Sequence, residues 1–304
     1  MPPCATVNLR PINGACNRSA YDAPGGIAVD KQSRAAQCGA SAILASAQPA
    51  MITRAGKQPQ QTQGLSKAVA LWLGLALLGW AGLAWLAFDM GHPLAQLTMP
   101  MSPHWSAANL LAIIVMWAVM MAAMMLPSAL PMVRAFVALC QRNGQRVRSR
   151  QFVGAYLLVW MIFSIGATAV QWLLQTLGWV NPMIVSTSAT LSVALLLVAG
   201  VYQFSPLKRI CLARCRTPMS FLLGEWRGGR FGALVMGWRH GLFCLGCCWA
   251  LMALLYVGGV MNLAWITALS LGVAVEKLAP RGERIATLLG SALLAAGALR
   301  LLLG

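Results

Sequence analysis

Seven runs of the chain, at 68–88, 107–130, 152–174, 183–203, 240–259, 262–277 and 285–303, are apolar and nearly free of charge. A helix needs roughly 20 such residues to cross about 30 Å of hydrocarbon, so runs of this kind leave few folds open. The sixth is short and the seventh is rich in Gly and Ala. The whole composition agrees, with 59% hydrophobic residues, 10% charged residues and a mean hydropathy of +0.69, well outside the range of soluble domains. The expected fold is all-α, a polytopic transmembrane helical bundle of six or seven spans.

The formal net charge is +17, from 23 Lys and Arg against 6 Asp and Glu. In a soluble protein that balance would point to nucleic acid, but its distribution here points to topology. Basic residues precede the first span, fill 134–150 and 208–239, and recur at Lys277, Arg281 and Arg284, whereas 89–106, 175–182 and 260–261 have none. Thus 22 of the 23 fall on alternate loops, the pattern that the positive-inside rule gives for a cytoplasmic N-terminus and an external C-terminus. Membrane lipids are the partners this charge implies, and nucleic acid is not.

Residues 1–64 are rich in Ala, Gln, Ser, Gly and Pro, lack hydrophobic periodicity, and carry Cys4, Cys16 and Cys38 without metal-ligand spacing. They are expected to form a disordered cytoplasmic tail ahead of a transmembrane metal-binding domain over 65–304. Met51 is an alternative start that would leave a short basic leader. None of the nine cysteines lies in an external loop, so reduced thiols are expected and a disulfide framework is excluded.

The chemistry is concentrated in sulfur. Met116, Met120 and Met124 fall within an 80° arc of one helix, and Met121 and Met125 widen the stripe to half a turn, with Ala118, Ala122 and Ala123 opposite. Thioethers are soft ligands suited to Cu(I), although flexible core packing is the plain alternative for a Met stripe. In the fifth span His240, Cys244, Cys247 and Cys248 recur at i, i+4, i+7 and i+8 on one face. A straight helix cannot wrap an ion with all four, so a second helix must supply ligands. Both stripes fall in the cytoplasmic half of the bilayer, where they can meet.

Other residues are candidates by type and place. The external loop 89–106 offers Met90, His92, Met99, Met101 and His104 as a loosely ordered docking loop for copper, with an ordinary Pro-rich turn as the alternative. Glu276 is an ionisable group near the end of a span, and such residues are functional candidates by default; Lys277 or Arg239 could pair with it. Asn262 opens the same span, and Cys211 and Cys215 stand in a CxxxC spacing among arginines. Pro127 and Pro131 are expected to kink or end the second span.

The Met116–Ser128 segment, Tyr202–Lys208 with Cys211 and Cys215, the run from Gly241 to Trp249, and Met261–Asn262 with Glu276–Lys277 together resemble a bacterial family known as predicted metal-binding integral membrane protein. That family is a domain of unknown function whose members are sometimes labelled copper chaperones. The resemblance covers roughly 70–300 and implies the inner membrane of a bacterium and copper, as Cu(I), or another soft metal.

The expected function is binding and transfer or translocation of copper: the loop captures the ion, the Met stripe passes it on, and His240 with the three cysteines receives it. A metal-donor or acceptor protein is the partner implied. A membrane thiol redox or assembly factor using Cys244, Cys247 and Cys248 is the alternative, as is a non-catalytic scaffold subunit. No hydrolytic dyad or phosphate-cradling loop was found in the sequence, and the chain is read as a non-enzyme. Cysteine reporters placed in 93–103 should react from outside the cell, and those in 141–150 only after permeabilisation. Reversed accessibility would overturn the orientation.

Overall fold

The computed structural model describes residues 58–102, 104–142 and 146–303. The expectations for Cys4, Cys16, Cys38 and Met51 lie outside the described residues. Every regular element is a helix, and among the described residues the only extended pairing is an isolated bridge between Val180 and Ser186. Five helical stretches are long and apolar enough to cross a membrane, or six if one bent pair counts as a single span.

The first helix, α1, covers Gln58–Phe88. It begins inside the 1–64 stretch expected to be a tail, because Gln is a good helix former and an apolar helix extends readily through such neighbours. A short helix α2, Pro93–Thr98, lies in the following loop. Next, α3 runs over Ala107–Arg142, 36 residues. Ser106 and Asn109 bracket its start, with the Asn109 amide donating to Ser106 Oγ at 3.2 Å, the reciprocal capping that satisfies orphan donors. Pro127 and Pro131 sit inside α3, so of the two outcomes expected of them, a kink or an end, the end does not occur. In an apolar surrounding the helix is kept because any alternative would strand more backbone groups than the two prolines do.

Helix α4 spans Arg146–Thr176. The run expected at 183–203 is helical only from Ala189, where Ser188 caps α5, Ala189–Gln203; Ile184 before it takes a positive φ of 62° and belongs to a turn. Pro206 then enforces a break, and α6, Pro206–Arg216, leaves at 65° to α5. The short α7, Pro218–Glu225, precedes α8, Gly232–Ala253, and a final turn α9, Leu255–Gly258. Helix α10, Leu263–Leu278, has 16 residues, about 24 Å, too few for a full crossing. It corresponds to the short sixth run and lowers the count from seven. Helix α11, Gly282–Leu303, closes the chain.

Packing around the core follows small residues. The missing side chain of Gly237 lets α8 lie directly against the Phe152 backbone of α4, and Gly241 meets Val159 of the same helix. On the other side, Gly200 of α5 faces Leu294 of α11 while Gly290 of α11 faces Gln203 of α5. Close helix approach at small residues is how membrane helices gain contact where lipid tails are as apolar as their side chains. Polar links add register. Trp117 Nε1 donates to Gln171 Oε1 at 2.8 Å between α3 and α4, and Tyr256 Oη donates to the Ala167 carbonyl at 2.6 Å. Phe136 of α3 stacks on Phe152 of α4 at 4.4 Å.

A Cβ at Gly237 would collide with backbone rather than with a yielding side chain, whereas one at Gly74 would meet nothing within 4 Å. Gly237→Ala should therefore lose about 1–3 kcal/mol or more of stability, and Gly74→Ala should change it by under about 1 kcal/mol. Unfolding in detergent compared across the two variants checks the contrast.

Candidate metal centre

One face of α8 turns its sulfur into the core. Cys244, Cys247 and Cys248 are all buried, as the i, i+3, i+4 spacing of an inward stripe requires. The thiols of Cys247 and Cys248 both donate to the Cys244 carbonyl, at 3.1 and 3.0 Å, weak back-bonds of the kind short polar side chains make within a helix. Opposite them stands α3, and the two sulfur stripes meet: Cys248 Sγ lies 3.9 Å from Met125 Sδ. With metal–sulfur bonds of about 2.3 Å, two sulfurs on one ion stand roughly 3.8–4.0 Å apart. Plain sulfur contact has a similar length, so the spacing admits a shared ion without requiring one.

Helix α6 supplies two more thiols. Cys211 is buried and its Sγ packs over Gly246 of α8. Cys215, one turn further on, is only partly buried and lies within interacting reach of Cys244 and Cys247. The CxxxC spacing thus sets both sulfurs on the α6 face that covers the α8 stripe.

Two polar groups converge on Cys244. Lys277 Nζ of α10 is 3.0 Å from its Sγ, and Tyr156 Oη of α4 is 3.3 Å away. Lys277 also reaches Ser128 Oγ at 3.4 Å and Met125 Sδ at 3.9 Å. Four helices, α3, α4, α8 and α10, therefore contribute to a cluster of thiols, a thioether, a phenol and an ammonium.

His240 lies one turn before Cys244, enclosed by the rings of Phe221, Tyr156 and Phe152 with centroids 5.4, 5.7 and 5.8 Å away. Its Nδ1 is buried without a hydrogen-bond partner among the described residues. Tyr156 joins the two, its ring against His240 and its hydroxyl against Cys244.

The remaining expectations fare differently. Met116, Met120, Met121 and Met124 are buried, but only Met125 has a described contact with the thiol cluster. In the loop before α3, His92 caps α2 by accepting the Leu94 amide at Nδ1 and leans on Trp85. Met90, Met101 and His104 are exposed, Met99 is partly buried, and no hydrogen bond or ring contact joins any two of these five. Asn262 caps α10 through its Oδ1, which accepts the Trp265 amide at 3.1 Å. Glu276 pairs with neither Lys277 nor Arg239. It accepts from Lys208 Nζ at 2.7 Å and Gln203 Nε2 at 2.9 Å, while Arg239 pairs with Glu225. The reason is angular: successive residues of a helix point about 100° apart, so Glu276 and Lys277 face different neighbours.

Among the described residues, no three His, Cys, Asp or Glu side chains are gathered in a way that could hold a metal ion. A tetrahedral structural zinc site, which takes four such ligands, therefore has no counterpart there. The donor set at the stripe junction is thiol plus thioether, the soft combination that suits Cu(I).

A family model described as PpoB2, copper chaperone, matches residues 114–300. The chain belongs to this family. The match takes in α4 to α10, nearly all of α11 and most of α3, hence every residue of the sulfur cluster, and it leaves α1 and the loop 89–106 outside. No curated protein and no solved structure matches the chain.

Sequence reasoning did not single out Tyr156 or Ser128 as site residues, and it took Lys277 as topology charge, as part of the family motif and as a partner for Glu276, not as a neighbour of the thiols. The available signal was the rarity of a lysine in the last turn of an apolar helix, which needs an explanation of its own. Lys208 was read as loop charge and as the end of a family motif, yet it is 1% exposed. Replacing Glu276 by Ala would strand that buried ammonium and should cost about 3–5 kcal/mol. Replacing Lys208 by Met and Glu276 by Leu together should restore most of the loss. Thermal unfolding of the three variants in detergent checks the cycle.

Proposed function

We propose that this chain is a membrane-embedded copper carrier that takes up Cu(I) between Met125 and two at a time of the thiols of Cys244, Cys247 and Cys248, and hands it on by ligand exchange through Cys215. The observation that carries the proposal is the meeting of the α3 and α8 sulfur stripes inside the bundle. The copper-chaperone description of the family supports the choice of ion, and so does the donor set. Copper is cargo here, and the chain makes and breaks no covalent bond in a substrate.

Uptake would replace each ligating thiol proton by the ion, as any thiolate site must. Cys215 suits the exchange because, among the described cysteines, it alone combines partial exposure with reach to Cys244 and Cys247. A thiol of an acceptor protein attacking there would displace one protein thiolate at a time, so the ion need never be free. The charge pattern supports an orientation with α6 and α7 at the cytoplasmic face of a bacterial inner membrane, and delivery would then be toward the cytoplasm. Met90, Met101 and His104 remain exposed for capture on the other side.

The test is copper content of the detergent-purified protein by mass spectrometry, with and without reductant. Met125→Leu nearly preserves volume, and Cys→Ser at 244, 247 and 248 keeps size while removing the soft ligand. Either set should lose most of the bound Cu(I), and the combined variant should lose little more, because groups acting as one site are not additive. Full copper stoichiometry in the combined variant, or none in the original, would replace the carrier by a scaffold whose sulfur only packs.

A further inference from the structure

Lys277 is 6% exposed and carries a side chain that reaches into the core of the bundle. A buried ammonium without an opposite charge is strongly unfavourable. The ion pairs among the described residues are Lys208 with Glu276 and Arg214 and Arg239 with Glu225, so every buried carboxylate there is already engaged elsewhere. The groups at Lys277 Nζ are instead Cys244 Sγ, Ser128 Oγ and Met125 Sδ, at 3.0, 3.4 and 3.9 Å. Of these only the thiol can become an anion. The cluster is thus built around one fixed positive charge that has no carboxylate to balance it.

We infer that Lys277 is the charge-balancing residue of the metal centre, and that it selects a monovalent soft ion held as a two-thiolate complex against divalent ions. This rests on the reading of the cluster as a Cu(I) site and deepens it. Cu(I) or Ag(I) bound by two thiolates carries one net negative charge, which the ammonium cancels. Zn(II) or Co(II) bound by the same two thiolates is neutral and leaves the ammonium unopposed in a buried site. A third thiolate would restore the balance for a divalent ion, but no such trio is gathered among the described residues. The thioether of Met125 adds a ligand without adding charge, so it leaves the balance intact. Ser128 has a supporting part: its hydroxyl donates to the Met125 carbonyl at 3.0 Å, which leaves its oxygen lone pairs toward Nζ and holds the lysine head beside the sulfurs.

The experiment is a competition titration of the full-length protein in detergent against a chromogenic chelator, run separately with Cu(I), Ag(I), Zn(II) and Co(II). The wild type and Lys277→Arg, which keeps the charge, should prefer the monovalent ions. Lys277→Met should weaken Cu(I) and Ag(I) by about 10- to 100-fold, the usual effect of losing a group outside the ligand set, and should leave Zn(II) and Co(II) unchanged or tighter. A merely structural lysine would move all four ions together, and that outcome overturns the inference while leaving the carrier reading in place. Absence of Cu(I) binding in the wild type overturns both. Lys277→Gln serves if the Met variant does not fold. If neither folds, the wild-type ranking decides, and Zn(II) held as tightly as Cu(I) sinks the proposal.

Discussion

The placement of α10 depends on the burial of two adjacent ionisable groups, Glu276 and Lys277. In a low-dielectric interior neither can be left alone, and the helix sends them to different neighbours. Glu276 draws Lys208 and Gln203 to it, and so ties α10 to the end of α5 and the start of α6. Lys277 points the other way, to Ser128 and Met125 on α3 and Cys244 on α8. A helix too short to cross a bilayer by itself is therefore fixed between two halves of the bundle by charge rather than by apolar area. The break after α5 follows from the same need. Were α5 to continue straight past Gln203, Lys208 would be carried onward along the α5 axis; the 65° turn at Ser205 and Pro206 lays it back against Glu276.

That break also arranges the sulfur. Lys208, Cys211 and Cys215 are spaced at i, i+3 and i+7 on α6, one face of a helix. The ion pair that anchors Lys208 sets the azimuth of α6, and the azimuth sets Cys211 over Gly246 and Cys215 beside Cys244 and Cys247. Gly246 is part of the design in a literal sense, since a side chain there would occupy the space of the Cys211 sulfur. The buried ion pair and the sulfur cluster are consequently one piece of architecture.

The helical architecture was legible because hydropathy and charge alternation report directly on spans. The inward turn of the Cys244–Cys248 stripe was legible for a similar reason, as a face of period 3.6 is a local property of one helix. What was not legible involved angles between helices. That Met125, and not Met120 or Met124, would touch Cys248 depends on the rotation of α3 against α8, which no single run of residues encodes. Glu276 shows the same limit: its nearest candidate in sequence was Lys277, but its partner came from 68 residues away. His92 shows a competing use that spacing alone does not reveal, since a histidine ahead of Pro93 is as good a helix cap as it is a ligand.

The resting positions of the thiols bear on how such a centre could release an ion as well as hold it. Cys247 and Cys248 both use the Cys244 carbonyl as acceptor, and that carbonyl keeps its helical backbone partner when either thiol turns away. Rotating one sulfur away therefore breaks a weak S–H···O hydrogen bond and strands no backbone group. Cys244 is different, because the ammonium of Lys277 and the hydroxyl of Tyr156 both converge on its sulfur and hold it in place. One anchored thiol beside two lightly held ones would, on the carrier reading proposed above, let ligands leave one at a time. An ion carrier needs that property and a structural metal site avoids it, and here it would rest on which atoms each sulfur touches.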